Sequence, residues 1–324
     1  MICAGRKPGA AELEEIRHAG AVILPQGCSE DLYYMARENC KNVFPDYDAR
    51  FKYPGKTGQI LLFQKTETAH PAARIFSTLS SLYDKDGNII NENLPFIYPF
   101  VLKFNWGGEG ETVYLIKTLA GLKKALKKAG EFERTGQKGF ILQEYIESGN
   151  RSLRIAVIGQ KFISYWRVQK DHDSFCAGLS KGAIMDFDSD KRLIRIAEER
   201  VRDFCGKAGI NLAGFDLIFS SEKDNDELVK SHNSDGKVKS SSSRRRESSV
   251  MRRTCRTPQS QRDEAQRRNR TFYEAVNNDE PLFLEINYFF GRKGLGGSEK
   301  FYKILNGEIV KWLKSLDLKK KRRN

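Results

Sequence analysis

Residues 152–158 (SLRIAVI) and 161–169 (KFISYWRVQ) read as two strands separated only by Gly159 and Gln160. A two-residue connection with glycine at its first position suits a type II′ turn, the hairpin turn whose twist matches the strands it joins. This part of the sheet is therefore antiparallel. Further strand candidates are PFVLKF at 99–104, GFILQEYI at 139–146, GFDLIF at 214–219 and LFLEIN at 282–287. Helical periodicity is clear in three places. Leu122, Ala125, Leu126 and Ala129 form one apolar stripe, and Leu193, Ala197, Val201, Phe204, Cys205 and Ala208 form a second, which Gly209 terminates. A third runs from Ser298 through Phe301, Ile304, Leu305, Ile309, Trp312, Leu313 and Leu316.

Between GFDLIF and LFLEIN the chain changes character. Residues 222–280 are rich in Ser and Arg and poor in apolar side chains, so they lack the surface to offset the entropy of ordering and read as a basic disordered insertion. Closure entropy grows only logarithmically with loop length, so the two flanking strands can still pair as neighbours. The net charge of +14 is accounted for by +9 in residues 230–270 and +5 in a basic tail at 319–323. The folded remainder is balanced, which argues against nucleic acid as the main partner. Six cysteines form no C-x-x-C pair or zinc-spaced cluster, no apolar run approaches the ~18 residues of a membrane span, and the start lacks a secretory core. A cytoplasmic protein with reduced thiols is the expectation.

The strand period of two puts Glu285 and Asn287 on one face of LFLEIN and Leu284 and Ile286 on the other. If the insertion loops out, Asp216 projects beside them, giving an oxygen-only set suited to Mg²⁺ carrying phosphate oxygens, with Mn²⁺ as a substitute. Acidic side chains at strand ends facing water give the same pattern. Lys103 lies in an apolar strand followed by a turn containing Gly107, Gly108 and Gly110, a workable polyphosphate cradle; an edge-protecting charge is the alternative. Gln143, Glu144, Tyr145 and Ile146 end a strand and can offer main-chain groups to an adenine edge; an ordinary strand terminus is the alternative, and the one physics alone favours. Arg154 and Arg167, on the two arms of the hairpin, can clamp a carboxylate or a transferring phosphoryl group, or serve as surface cross-strand charges. In YFFGRKGLGGSEKF, Gly291, Gly294, Gly296 and Gly297 alternate with Arg292 and Lys293 before a helix, the composition of an anion site. His18, His70, His172 and His232 lie among polar residues and read as surface groups.

Taken in order, the strand lysine with its glycine turn, QEYI, the Arg-bearing hairpin, GFDLIF and LEIN with its glycine loop resemble the ATP-grasp superfamily, and among its members the RimK-type glutamate ligases and glutathione-synthase-like enzymes. The resemblance covers about residues 20–220 and 281–316. It implies an α+β ATP-grasp fold in which two α+β subdomains grip a nucleotide, preceded by a truncated α/β pre-ATP-grasp domain. The implied organisation is a remnant of that domain at 1–50, grasp subdomains at 51–221 and 281–318, the insertion at 222–280 and the tail at 319–324. It further implies ATP on Lys103, on Gly107, Gly108 and Gly110, and beside Gln143, Glu144, Tyr145 and Ile146. Lys56 would be a second nucleotide-binding lysine, Asp216, Glu285 and Asn287 would bind Mg²⁺, and Arg154 and Arg167 would act in catalysis. The implied activity is an ADP-forming carboxylate–amine ligase acting on small-molecule or peptide substrates through an acyl phosphate, with an oligomer possible. A nucleotide-binding regulatory protein and a phosphotransferase on the same fold are the competing readings.

Overall fold

The computed structural model describes residues 7–90, 94–107, 110–170, 178–179, 182–221 and 279–321. The chain divides into two units, residues 1–219 with 281–324 and residues 220–280. The elements below belong to the first; of the basic insertion expected at 222–280, residues 222–278 lie outside the described residues.

Near the N-terminus, α1 (Ala10–His18) and α2 (Glu30–Asn39) accompany a short parallel pair, β1 (Val22–Ile23) with β2 (Val43–Phe44). Ser29 caps α2 by accepting from Leu32 N–H, and Tyr33, Ala36 and Tyr47 close a small core of their own. Helices α3 (Asp48–Lys52) and α4 (Gly55–Lys65) lead into a four-stranded antiparallel sheet. Its order is β3 (Ala73–Phe76), β6 (Phe140–Glu144), β4 (Phe100–Phe104) and β5 (Val113–Ile116). Helix α5 (Leu119–Glu133), capped by Thr118, buries Leu122, Ala125, Leu126 and Ala129, the stripe its periodicity predicts.

The second sheet has five antiparallel strands. Their order is β11 (Leu282–Asn287), β10 (Leu212–Ile218), β7 (Arg151–Ile158), β8 (Lys161–Val168) and β9 (Ile184–Asp186). Gly159 takes a φ of +61° between β7 and β8, as the predicted turn requires. Helix α6 (Lys191–Ala208) ends at Gly209 in the left-handed conformation and buries Ile194, Ala197, Val201 and Phe204. Phe63 of α4, Phe204 of α6, and Phe215 and Phe283 of the sheet form a ring cluster with centroids 5.3–6.2 Å apart. Helix α7 (Ser298–Lys321) follows, so the backbone of residues 319–321, expected as tail, is helical.

Strands β10 and β11 pair directly although some sixty residues separate them in sequence, because that separation adds only a small closure cost. Asp216 stands opposite Glu285, while Leu217 stands opposite Phe283, which makes Leu284 the extra residue of a β-bulge. The strict period of two placed Leu284 with Ile286 on the face away from Glu285. The bulge breaks that period, and Leu284 lines the same cleft as Glu285.

Candidate active site

Strand registers assemble a polar row across the five-stranded sheet. Glu285 pairs with Asp216, Asp216 with Arg154, and Arg154 with Tyr165. Equivalent positions on adjacent strands project to the same face, so four side chains from β11, β10, β7 and β8 lie side by side. Asn287 shares the face one step along β11, opposite Gly214. A Cβ at Gly214 would stand 2.6 Å from Arg154 Nη1 and 3.0 Å from Phe290 Cβ, so glycine is what leaves space for the guanidinium.

This row forms one wall of a cleft of about 720 Å³, within the range of small-molecule sites. Lys103, Val101 and Gln143 of the four-stranded sheet line it as well. Glu144, Tyr145, Ile146 and Gly110 are also on its surface. Val101, Leu115, Ile146, Ile218 and Leu284 provide an apolar slot, and the charged groups lie beside it. Gly108 falls outside the described residues, and Gly107 does not line the cleft.

Asp216 is 8% exposed and anchors the charges. Its Oδ1 lies 2.7 Å from Arg154 Nε and accepts from Arg167, while its Oδ2 accepts from Arg154 Nη2 at 3.0 Å and from Asn287 Nδ2 at 3.1 Å. The reading of Asp216 as a water-facing strand end does not survive this burial. Nor are Arg154 and Arg167 surface charges: their side chains are 12% and 13% exposed. The edge-protecting reading of Lys103 fails too, because β4 runs between β6 and β5 and the lysine is 8% exposed.

Among the described residues, three buried N–H groups that belong to cleft-lining side chains have no hydrogen-bond partner: Arg154 Nε, Arg167 Nε and Gln143 Nε2. Arg154 Nε is close to Asp216, but its N–H is misaligned for a hydrogen bond. Unsatisfied buried donors are costly, and these three gather at one cleft, where an acceptor-rich ligand could satisfy them. Burial pushes the Glu144 carboxyl above its ordinary range, and a hydrogen bond from Ala72 N–H partly opposes this.

Lys56 is placed differently from what the resemblance implies. It is buried behind the glycine turn, donates to Gly107 O at 2.9 Å, and stands 3.8 Å from Glu285 Oε1, without lining the cleft. The glycine loop after β11 also departs from expectation. Lys293 lines the cleft, whereas Arg292 lies 4.7 and 4.6 Å from the ring centroids of Phe301 and Tyr302 and donates to Ser298. His70 is not a surface group: it is partly buried against Phe63, its Nδ1–H donates to Thr68 O at 2.7 Å, and burial lowers its pKa.

Besides Leu284, Tyr165 is a site residue that sequence reasoning missed. It is buried, and the position it faces on the loop is Gly294, where a Cβ would stand 2.2 Å from Tyr165 Cζ. Its signal was present, since Tyr165 and Arg167 are two apart in KFISYWRVQ and so share a strand face.

Glu285, Asn287 and Asp216 offer hard oxygen donors of the kind magnesium prefers, from adjacent positions on two paired strands. Among the described residues no cluster of three His, Cys, Asp or Glu side chains could hold a metal, so the amide oxygen of Asn287 is needed to complete the set. The donor chemistry fits, provided Asp216 or Asn287 exchanges a present hydrogen bond for the ion.

The profile of the RimK-like ATP-grasp domain matches residues 57–246, more than half of the chain. None of the curated proteins compared is similar enough to match. Among solved structures, a RimK domain ATP-grasp protein from Sphaerobacter thermophilus superposes with a TM-score of 0.52 at 11% identity, over 90% of this chain and 81% of that one. A D-alanine–D-alanine ligase from Bacillus anthracis gives a TM-score of 0.47 at 11% identity, over 81% and 69%. An N5-carboxyaminoimidazole ribonucleotide synthetase in complex with ADP gives 0.47 at 12% identity, and this chain spans about half of that protein, 53%, with 64% of its own length. Among the described residues no helix is long and apolar enough to cross a membrane.

Proposed function

This chain belongs to the RimK-like ATP-grasp family, and from that premise we propose that it is an ATP- and Mg²⁺-dependent carboxylate–amine ligase, forming an amide through an acyl phosphate. The observation that carries the reading is the cross-strand row Glu285, Asp216, Arg154 and Tyr165, which shares one cleft with Lys103 and with Gln143, whose Nε2 has no partner among the described residues. The apolar slot suits a flat base, with Gln143 and the main chain of residues 144–146 along its edge. Lys103 then meets the phosphates as a point charge.

Magnesium held by Asp216, Glu285 and Asn287 would neutralise phosphate oxygens. The substrate carboxylate attacks the γ-phosphorus and ADP leaves. Arg154 and Arg167, fixed by Asp216, carry donors for the charge spread over the transferring group. An amine then attacks the acyl carbon, the C–O bond to phosphate breaks, and the amine's proton passes to the departing phosphate as the amide forms. Small molecules or a peptide terminus are the proposed acid and amine.

A non-catalytic nucleotide-binding protein is the second reading, and it draws on the engagement of both Asp216 oxygens by Arg154, Arg167 and Asn287. ADP release, measured across candidate acids and amines with Glu285→Ala as control, separates the two. Substrate-dependent ADP release that Glu285→Ala abolishes supports the ligase; turnover untouched by Glu285→Ala sinks the site. Release of ADP without amide product points instead to a phosphotransferase.

A further inference from the structure

Among the described residues strand β11 is an edge strand, with β10 on one side only. The main-chain groups of Ile286 that point away from β10 have no strand to meet, and Ile286 lies between two proposed metal ligands, Glu285 and Asn287. Gln59 of α4 takes both of those groups. Its Nε2 donates to Ile286 O at 2.9 Å, and Ile286 N–H donates to its Oε1 at 2.9 Å. The side-chain amide thus supplies the two bonds that a neighbouring strand would supply. Phe63, one helical turn later on the same face, packs on Phe283 at 5.7 Å and holds the helix against the strand.

The first turn of the same helix grips the glycine turn after β4. Thr57 N–H and Oγ1–H both donate to Asn105 Oδ1 at 2.9 Å, Lys56 N–H donates to Asn105 O at 3.3 Å, and Lys56 Nζ bridges Gly107 O and Glu285. A Cβ on Gly55 would stand 2.3 Å from Asn105 Oδ1, so the approach is as close as backbone allows. Gly55, Lys56, Thr57 and Gln59, at the start of one helix, therefore clip a loop of one sheet to the acid-bearing strand of the other.

We propose that Gln59 is a positioning residue, which fixes Glu285 and Asn287 in the geometry that binds magnesium and ties that strand to the glycine turn. This rests on the ligase reading of the cleft. Partners that orient metal ligands from behind contribute about 10-fold or more to metal affinity. The test is the Kd for ATP measured in EDTA and in excess Mg²⁺, for the full chain and for Gln59→Met, which conserves volume and helix propensity but makes neither bond. Gln59→Glu, which still accepts from Ile286 N–H, is the second variant should the first not fold.

The expected result is an unchanged Kd in EDTA and a gain from Mg²⁺ about 10-fold smaller in Gln59→Met, with Gln59→Glu in between. Amide exchange at Ile286 in metal-free protein should accelerate in parallel. A folded variant that keeps the full gain from Mg²⁺ overturns the proposal, as does an equal loss of affinity in EDTA, which would make Gln59 a general prop for the cleft. A wild-type chain that gains nothing from Mg²⁺ overturns the metal reading itself, and the wild-type arm alone reveals that case.

Discussion

Replacing Asp216 with Asn keeps the side-chain shape and removes the one negative charge that two buried guanidinium groups share. Arg154 and Arg167 are 12% and 13% exposed, and Asp216 receives both of them together with Asn287. In Asp216→Asn, an amide N–H₂ faces donors where a carboxylate accepted them, and two cations remain side by side. Removing one partner of a buried ion pair costs about 3–5 kcal/mol. Because these side chains line an open cleft, the lower end applies, about 3 kcal/mol. For a unit of this size each kcal/mol moves Tm by about 2–4 °C, so the expected drop is about 6–12 °C.

Calorimetric melting of the variant measures this, and a double-mutant cycle with Arg167→Gln isolates its cause. In the wild-type background Arg167→Gln destabilises, since it removes a charge-assisted hydrogen bond. In the Asp216→Asn background the same change stabilises, since it relieves the repulsion between the two arginines. A loss below about 1 kcal/mol, the range of exposed pairs, together with no change of sign in the cycle, would refute the view that Asp216 compensates these charges.

Two further outcomes follow from packing and burial. Gly294→Ala puts a Cβ 2.2 Å from the Tyr165 ring and should destabilise by about 1–3 kcal/mol in urea melts, with Tyr165→Ala relieving the penalty; wild-type stability in Gly294→Ala alone would disprove the contact. Burial lowers the His70 pKa below its ordinary value of 6.5, so the unfolded chain binds the proton more readily. Its contribution is therefore fully present above about pH 6.5 and is lost as pH falls through the lowered folded value. His70→Asn should flatten the urea midpoint against pH between 7 and 5, and an unchanged slope would show that another group titrates there.

Much of the architecture could be read along the chain. The α5 stripe, the Gly159 hairpin and the α6 terminator follow from local periodicity and from conformations that glycine adopts readily. Site candidates were legible where a strand period and a charged residue coincided, as at Glu285 with Asn287 and at Lys103. The period failed at Leu284, because a bulge depends on how the partner strand aligns. It also gave no sign of Gln59, one of several polar side chains in its helix, which becomes informative only when Ile286 stands opposite it.

By itself, the sequence determined which residues share a face wherever a strand or helix runs unbroken, since the backbone repeat is local. Tertiary structure decided which faces meet. Asp216 joins Glu285 only because β10 and β11 pair across the insertion, and it joins Arg154 only through the register with β7. The buried charges follow from that assembly: a carboxylate and two guanidinium groups tolerate removal from water only in one another's company, and no stretch of the chain carries all three.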